Sequence, residues 1–361
     1  MEIGVPKEIK DQEYRVGLSP DSVAVLTSKG HQVTVEAAAG VGSGFTDAEY
    51  VQAGAAIASD PKEIWTQDMV VKVKEPLPAE YDFLPFPKIL FTYLHLAANR
   101  VLTETLIQSG TTAIAYETVT DNQGQFPLLT PMSIIAGRLS VQFGARYLER
   151  QQGGRGVLLG GCPGVKAGNV VILGGGIVGT EAAKMAVGLG ATVTIFDINV
   201  ERLRYLETLF GSRVNLLYST APAIATAVPQ ADLLIGSVLI PGRRPPTLVN
   251  QSLVATMNPG SVIIDVAVDQ GGCIETIRPT SHTQPTYIES GVLHYGVPNM
   301  PGAVPWTATQ ALNNSTLPYV LKLAGQGKAA LDTDPGLAQG LNVDNHALTY
   351  TAVKDTFPDL A

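Results

Sequence analysis

The sequence predicts an α/β protein with two doubly wound domains, one inserted between the two halves of the other. Short apolar runs typical of buried strands alternate with helical stretches along most of the chain, as in a parallel sheet covered by helices. A glycine-rich turn between a strand and a helix occurs near the middle, and a similar alternation without such a turn precedes it. The 361 residues are enough for two domains of ordinary size.

The first predicted domain comprises residues 1–130 and is completed by residues 302–361. Its strands are expected at 2–5, 31–36, 69–73, 88–94 and 112–116. Its helices are expected at 20–29, 47–53, 61–67 and 99–108. Pro20 suits the first turn of the first helix, and Gly30 suits the position just past its end. A helical pattern returns from 308 to 326, and we expect this segment to fold back on the first domain.

A glycine motif organises the second predicted domain, residues 131–301. Gly174, Gly176 and Gly179 form G-x-G-x-x-G between a buried-strand run and a helical stripe. The first glycine allows a tight turn, the second lets the backbone approach a pyrophosphate, and the third lets the helix pack closely on the strand. Free N–H groups at the start of the helix attract the phosphates. The motif predicts dinucleotide binding in a Rossmann domain, and a glycine turn without a phosphate is the alternative.

Asp197 closes the second strand of this motif, 18 residues after Gly179. A carboxylate at this place accepts hydrogen bonds from the adenosine ribose. It also repels a 2′-phosphate, so the sequence favours NAD over NADP. Arg202 and Arg204 lie nearby in the sequence and could soften that preference.

The α/β alternation continues on both sides of the glycine motif. Residues 131–151 are expected to form a long connecting helix, and the glycine-rich residues 152–168 an interdomain loop or short hairpin. Further helices are expected at 200–210 and 247–257, and further strands at 213–218, 232–238, 261–268 and 292–297. With the two strands of the motif itself, these predict a doubly wound sheet of roughly six strands.

Composition excludes several classes of function. The net charge is −8 and no long run of Lys and Arg occurs, which argues against nucleic acid or an anionic membrane as a partner. Cys162 and Cys273 are not in a C-x-x-C motif, and no His cluster has metal-ligand spacing, so we expect two free thiols and no metal. The first ten residues carry acidic side chains and lack an apolar core, so they predict no signal peptide and a cytoplasmic protein.

Four polar residues follow predicted strands, where doubly wound sheets bind ligands: Arg15, Lys74, His95 and Asp269. Arg grips a carboxylate with two parallel hydrogen bonds, and Lys adds a point charge. His and Asp exchange protons with a carbonyl or an amine near neutral pH. The set predicts removal of hydride from an α-carbon that bears an amine or a hydroxyl group and a carboxylate.

Each of these four residues also has a structural interpretation. A single Arg or Lys is usually a solvated surface residue. His95 lies in a strongly apolar run, where a hydrogen-bonded structural histidine is equally consistent with the sequence. An Asp before two glycines, as at Asp269, is often a turn residue. The position of all four at strand ends favours the functional interpretation, and spacing alone leaves both open.

The chain resembles the alanine dehydrogenase family from residue 1 to its C-terminal helices. The motifs that carry the resemblance are RVGLSP at 15–20, VKVKEP at 71–76, FTYLHLA at 91–97, AYETV at 115–119, LLTPMS at 128–133, LGGGIVG at 173–179, VLIPG at 238–242, VAVDQGGC at 266–273 and GVPNMPGAVPWTATQAL at 296–312. QGGRGVLLGG at 152–161 and LPYVLKLA at 317–324 extend it.

The resemblance implies a reversible NAD-linked oxidative deamination of L-alanine to pyruvate and ammonium. By matched motif, Arg15 and Lys74, rather than its neighbour Lys72, hold the substrate carboxylate. His95 bonds the carbonyl oxygen of pyruvate and exchanges its proton. Asp269 is the general base for the water that attacks the iminium intermediate. The resemblance also implies a homohexamer, the assembly of many family members, although some form dimers of related architecture.

The same motifs carry over a set of cofactor contacts beside the three glycines. The resemblance implies that the following residues contact the cofactor: Ser133, Ile177, Val178, Asp197, Arg202, Ser219, Val238, Leu239, Val266, Ala267, Val268, Asp269, Arg278, Val297, Pro298, Asn299 and Met300.

Three alternatives share this fold. The NAD-binding subunit of a nicotinamide nucleotide transhydrogenase passes hydride to NADP on a partner and needs no carboxylate clamp. A non-catalytic NAD-binding regulator needs no proton-transfer pair. The joint presence of Arg15, Lys74, His95 and Asp269 disfavours both. A saccharopine-type or other amino-acid dehydrogenase needs a wider pocket, which the sequence does not reveal.

Overall fold

A computed structural model describes residues 1–238 and 245–360 of the chain. Contacts divide it into two compact units. The first unit comprises Met1–Met132 and Gly302–Ala361, and the second comprises Ser133–Pro301. In the described part of the chain, no helix is long and apolar enough to cross a membrane.

Strands and helices alternate through both units. The strands are β1 (Glu2–Val5), β2 (Gln32–Glu36), β3 (Ala56–Ala58), β4 (Met69–Val71), β5 (Ile89–Thr92), β6 (Thr112–Ala115), β7 (Asn169–Leu173), β8 (Thr192–Asp197), β9 (Val214–Tyr218), β10 (Leu233–Gly236), β11 (Val262–Asp265), β12 (Thr286–Glu289), β13 (Val292–Tyr295), β14 (Leu341–Asp344) and β15 (Ala347–Leu348).

The helices have the following bounds: α1 (Pro20–Ser28), α2 (Asp47–Gln52), α3 (Pro61–Trp65), α4 (Arg100–Ser109), α5 (Thr130–Tyr147), α6 (Ile177–Gly188), α7 (Val200–Phe210), α8 (Ala221–Ala227), α9 (Gln251–Val254), α10 (Pro305–Gln326), α11 (Ala330–Thr333), α12 (Pro335–Ala338) and α13 (Thr351–Thr356).

The first unit is built on a sheet of order β15-β14-β6-β5-β4-β1-β2-β3. β1 to β6 run parallel, whereas β14 is antiparallel to β6 and β15 to β14. β2 and β4 lie on opposite sides of β1, so the chain reverses its direction of winding there, and ligands bind at such a point in doubly wound sheets. The five strands predicted for residues 1–130 are present, and β3, β14 and β15 are additions that sequence reasoning missed because they are short and weakly apolar.

The second unit is built on a sheet of order β12-β13-β11-β10-β7-β8-β9. All of its described strands run parallel except β12, which pairs antiparallel with β13. β8 and β10 lie on opposite sides of β7, which places the winding reversal beside the glycine motif. The prediction of an α/β protein with two doubly wound sheets is therefore confirmed, with an antiparallel strand added at an edge of each.

Several predicted elements of the second unit are shorter than expected. The helix predicted at 247–257 is reduced to α9, because Val249 forms a β-bridge with Ile274 and Asn250 caps the helix through the N–H of Leu253. The strand predicted at 261–268 ends at Asp265, and a 3₁₀ turn follows at Val268–Gln270. The strand predicted at 232–238 is β10, Leu233–Gly236.

Candidate functional site

The carboxyl edge of the first sheet gathers three of the predicted site residues. Arg15 follows β1 through a loop, Lys74 lies three residues after β4, and His95 lies three residues after β5. β5, β4 and β1 are adjacent parallel strands, so their carboxyl ends share one edge of the sheet. The structure therefore brings these three residues to the same edge, as the sequence predicts.

Arg15 is held rigidly by Glu13. Its side chain is buried, and its Nε and Nη2 donate to the two carboxylate oxygens of Glu13 at 2.7 and 2.6 Å. The backbone N–H of Arg15 donates to Glu13 as well, at 3.0 Å, and Nη1 lies 3.0 Å from the sulfur of Met132. Burial disfavours the charged guanidinium, but Glu13 outweighs that effect and the pKa of Arg15 is raised. A fixed, permanently charged guanidinium results.

Lys74 is a partly buried cation that lies near the carboxylates of Glu75 and Glu13 without pairing directly with either. Within residues 1–238 and 245–360, its ammonium group makes no hydrogen bond or ion pair. Burial, followed by the charge of Arg15, lowers the pKa of Lys74 to about 8. The neighbouring Glu75 is paired with Lys10 instead. An incoming carboxylate would therefore supply the direct ion pair that Lys74 lacks.

Lys72, two residues earlier, has a structural role. Its ammonium group is fully buried and lies 2.7 Å from Glu80 and 3.3 Å from Glu8. The carboxylate of Glu8 also accepts the backbone N–H groups of Val73 at 2.7 Å and of Lys74 at 3.3 Å. The ion cluster of Lys72 with its two carboxylates therefore fixes the backbone that presents Lys74, which supports the choice of Lys74 over Lys72.

His95 is held in an unusual backbone conformation. Its φ is 50° and its ψ is 39°, in the left-handed region that non-glycine residues rarely adopt. Its N–H donates to Glu117 at 2.6 Å, and the N–H of Leu94 donates to the same carboxylate at 3.2 Å. The imidazole stacks on Tyr93 with ring centroids 5.9 Å apart, and 42 % of it is exposed. A backbone clamp thus presents an accessible ring.

The glycine turn of the second unit fits a dinucleotide. Gly174 has a φ of 99°, and a Cβ on Gly179 would lie 1.9 Å from the carbonyl oxygen of Gly174. A Cβ on Gly176 would meet no atom within 4 Å, so the backbone there faces open space that a phosphate group can enter. α6 begins directly after Gly176 without a side-chain cap, so its first N–H groups remain available to an anion.

Asp197 lies beside this turn at the end of β8. Its two carboxylate oxygens accept the backbone N–H groups of Gly175 at 2.7 Å and of Asn199 at 2.8 Å. Arg202 bonds the other side of the turn: its Nε donates to the carbonyl of Gly175, and its Nη2 donates to the hydroxyl of Thr180 at 2.7 Å. The guanidinium of Arg202 is therefore engaged in holding the glycine turn.

The remaining predicted cofactor residues lie mostly along the carboxyl edge of the second sheet. Ser219 follows β9 and donates its N–H to the carbonyl of Asp197 at 3.0 Å. Val238 follows β10, and its Cγ2 lies 3.2 Å from where a Cβ on Gly174 would be. Residues 266–269 follow β11 and residues 297–300 follow β13. Ile177 and Val178 begin α6.

Two predicted cofactor residues lie away from the strand ends. Ser133 lies in the first turns of α5, at the start of the second unit. Arg278 lies between β11 and β12, with its guanidinium 4.1 Å from the centroid of the Tyr287 ring. Leu239 lies outside the described residues.

Asp269 does not follow β11 directly, as the sequence suggests, but lies exposed in the 3₁₀ turn Val268–Gln270. The residue at the strand end is Asp265, which is fully buried. Its carboxyl oxygens accept the N–H groups of Ala267 at 3.0 Å and of Cys273 at 2.8 Å. Burial raises the pKa of Asp265, and these hydrogen bonds offset part of that rise.

Sequence reasoning missed four acidic residues that support the site: Glu8, Glu13, Glu117 and Asp265. The sequence could have pointed to Glu117 and Glu13, since each lies in or beside a motif that carries the predicted chemistry. It could have pointed to Asp265 as well, because a carboxylate ending an otherwise apolar strand must find partners. Their partners are backbone N–H groups and neighbouring cations, which spacing does not reveal.

The fold and the glycine turn define a dinucleotide-binding protein of two doubly wound units. Comparison with known families makes this specific. The family described as "Alanine dehydrogenase/PNT, N-terminal domain" matches residues 4–136, and "Alanine dehydrogenase/PNT, C-terminal domain" matches residues 140–351. The chain belongs to the alanine dehydrogenase/PNT family, whose members imply an oxidoreductase that uses a nicotinamide cofactor.

Individual relatives agree with this assignment. A curated alanine dehydrogenase of Bacillus subtilis (strain 168) is 56 % identical over 355 residues, which are 98 % of this chain and 94 % of that protein. A solved structure named L-alanine dehydrogenase is 71 % identical, with a TM-score of 0.97 and full coverage of both chains. A transhydrogenase structure from Sinorhizobium meliloti is 25 % identical, with a TM-score of 0.82, and covers 98 % of this chain and all of that chain.

Proposed function

We propose that this protein catalyses the reversible, NAD-dependent oxidative deamination of L-alanine to pyruvate and ammonium. The observation that carries the proposal is the pair of cations at the edge of the first sheet. Arg15 is charged and fixed by Glu13, whereas Lys74 is partly buried and makes no ion pair among the described residues. Relatives named alanine dehydrogenase support the choice of substrate, at 56 % identity over nearly the full chain.

Arg15 and Lys74 hold the substrate carboxylate. The guanidinium contributes directed N–H donors and the ammonium contributes a point charge. Since the pKa of Lys74 is about 8 before the substrate binds, a bound carboxylate favours its protonated form. The clamp fixes the α-carbon of the substrate in one orientation, which lowers the entropy cost of reaching the transition state.

The nicotinamide ring, when bound, accepts the hydride that leaves the α-carbon. Side chains of the protein then catalyse hydrolysis of the iminium formed from the substrate. Asp269 takes a proton from water as the water oxygen bonds to the iminium carbon. Asp269 then returns this proton to the nitrogen of the carbinolamine. Ammonia leaves with the electrons of the breaking C–N bond, while His95 accepts the hydroxyl proton and the carbonyl of pyruvate forms. In the reverse direction His95 donates this proton.

Asp197 is the proposed basis for NAD rather than NADP. Its carboxylate ends β8 beside the glycine turn and would repel a 2′-phosphate. Of the two residues that could offset this repulsion, Arg202 already bonds Gly175 and Thr180, and Arg204 pairs with Glu201. Both observations favour a cofactor with a free ribose hydroxyl.

We propose further that the protein is a cytoplasmic homo-oligomer, a hexamer. Large exposed apolar side chains on the second unit support association between subunits: Leu158 is 71 % exposed and Val165 is 64 % exposed. Multi-angle light scattering on the purified protein tests this. A molar mass near that of a single 38.0 kDa chain would contradict it.

An assay of NADH formation tests the proposed activity. L-alanine is compared with glycine, L-serine and L-lactate, and NAD⁺ with NADP⁺. We expect L-alanine with NAD⁺ to react fastest. The similarity to a transhydrogenase structure makes hydride transfer to NADP on a partner the second candidate. Absence of reaction with every amino acid would favour that candidate, which has no use for a carboxylate clamp.

A further inference from the structure

The loop that carries Asp269 is closed at its base by Asp265. One carboxyl oxygen accepts the N–H of Ala267 and the other accepts the N–H of Cys273, so a single side chain joins the two ends of residues 266–273. Burial, followed by the charge of this carboxyl group, raises the pKa of the Cys273 thiol. Inside the loop, the N–H of Gln270 and of Gly272 both donate to the carbonyl of Ala267, at 3.0 Å each. The result is a tightly connected turn.

Glycines make room for this carboxyl group. A Cβ on Gly236, at the end of β10, would lie 2.7 Å from Oδ2 of Asp265. A Cβ on Gly272 would lie 2.6 Å from the same oxygen, and Gly272 has a φ of 62°. Two residues of the chain are thus restricted to glycine around one acidic side chain. A fully buried carboxyl group is costly to keep in a sheet of apolar strands, which points to a specific use.

We infer that Asp265 is a positioning residue that holds residues 266–273 in the conformation presenting Asp269 to the substrate. The inference rests on the proposed function of Asp269 as the general base. Asp265 is fully buried and touches no substrate itself, and it acts through the backbone of the turn Val268–Gln270. A base must lie within hydrogen-bonding distance of the water that it deprotonates, so a small shift of this turn lowers the rate of that step.

Asp265→Asn is the principal test. The amide retains one acceptor oxygen but places an NH₂ group against the other backbone N–H, so one end of the loop is released. We expect kcat for L-alanine to fall about 100-fold, with KM for L-alanine within about threefold, because Arg15 and Lys74 still bind the carboxylate. Asp265→Ser removes the opposed NH₂ group and serves as a second variant if the first folds poorly.

Asp232→Asn is the matched control. Asp232 is also buried and also accepts a backbone N–H, that of Asn169, at 2.8 Å. It precedes β10 and therefore lies at the amino edge of the same sheet. We expect Asp232→Asn to lower the melting temperature while leaving kcat within about threefold of wild type.

A double-mutant cycle separates positioning from general damage. Asp269→Asn alone should remove most of the activity, and adding Asp265→Asn should lower the residual rate by less than about threefold. An independent, merely structural effect would multiply the two losses and overturn the inference. An unchanged kcat in Asp265→Asn and Asp265→Ser would overturn it as well. If Asp269→Asn itself retains full activity, the proposed role of Asp269 fails instead.

Discussion

The N–H of His95 donates to the carboxylate of Glu117 across 2.6 Å, while its backbone occupies the left-handed region with a φ of 50°. Leu94 donates to the same carboxylate. Two consecutive N–H groups thus converge on one acid at the end of β5. This arrangement offsets the cost of an unfavourable backbone conformation, about 1–3 kcal/mol, and fixes the direction in which the imidazole leaves the chain.

Replacing Glu117 with Ala should therefore impair catalysis and stability together. Two N–H groups would lose their acceptor, at a cost of roughly 1–3 kcal/mol each where they are shielded from water. We expect kcat to fall about tenfold or more and the melting temperature to drop by several degrees. Glu104→Ala is the control, because Glu104 pairs with Arg100 on the surface of α4. Equal behaviour of the two variants would contradict the role given to Glu117.

Binding of pyruvate should weaken as the pH rises through about 8. The pKa of Lys74 is lowered to about 8, mainly by burial and then by Arg15, so above that pH the free protein holds a neutral amine. A carboxylate binds the charged form, so KM for pyruvate should be constant below about pH 8 and then rise up to about tenfold per pH unit.

The variant Lys74→Arg distinguishes the titration of Lys74 from the titration of other groups. A guanidinium remains charged throughout this range, so the rise in KM above about pH 8 should disappear even if the absolute KM changes. Steady-state kinetics between about pH 7 and pH 10 at saturating NADH supply the measurement. A rise in KM of the same size in the wild type and in Lys74→Arg would refute the assignment.

Lys72→Met and Lys74→Met should have opposite consequences. Loss of Lys72 leaves Glu8 and Glu80 facing each other in the interior, which costs about 3–5 kcal/mol. We expect the melting temperature to fall by about 10 °C. Loss of Lys74 removes a partly buried cation that makes no direct ion pair, so the melting temperature of this variant should stay the same or rise, while KM for pyruvate increases more than about 30-fold. Thermal unfolding followed by circular dichroism, with kinetics on the folded proteins, distinguishes the two.

The sequence predicts the fold more completely than it predicts the side chains that hold the site residues in place. Short continuous apolar runs between helical stretches locate the parallel strands around β1 and β7, because strands buried on both faces are apolar almost throughout. The ends of helices and strands depend on single side chains. Asp265 accepts a hydrogen bond from the N–H of Ala267, and β11 ends at Asp265, three residues before the predicted end at 268. Such a contact joins residues whose spacing carries no distinctive signal.

The four residues predicted to carry the chemistry were chosen by type and position, whereas the acids that bond three of them, Glu8, Glu13 and Glu117, were not predicted. Arg15 could be expected at an edge of the sheet, but its pairing with Glu13 depends on a loop geometry that the sequence does not encode in a simple period. Lys72 and Lys74 lie in one motif, and burial with two carboxylates separates their roles. The roles of the four remain proposals that the substitutions above test.

The preference for NAD should depend on Asp197. Replacing Asp197 with Ala removes both the ribose acceptor and the repulsion of a 2′-phosphate, so KM for NAD⁺ should rise about 10- to 100-fold while KM for NADP⁺ changes less. Arg204→Ala is the control, since Arg204 is exposed and pairs with Glu201 three residues earlier. If the ratio of kcat/KM for the two cofactors is the same in Asp197→Ala and wild type, another residue sets the preference.

Gly176→Ala and Gly179→Ala should separate cofactor binding from folding. Gly176 has a φ of −62° and its Cβ would meet no protein atom within 4 Å, so alanine fits the protein itself. The added methyl group would instead occupy the space proposed for the pyrophosphate. We expect an unchanged melting temperature for Gly176→Ala and a Kd for NADH raised more than about tenfold.

Gly179→Ala, in contrast, should lower the stability of the protein even without a ligand. Its Cβ would lie 1.9 Å from the carbonyl oxygen of Gly174, a distance that forces α6 away from β7. We expect a destabilisation of roughly 1–3 kcal/mol or more, seen as a lower melting temperature without any ligand. Fluorescence titration with NADH and thermal unfolding of the two variants give the comparison. A Gly176→Ala protein that binds NADH normally would place the pyrophosphate elsewhere, because no protein atom lies near enough to that methyl group to account for a loss of binding.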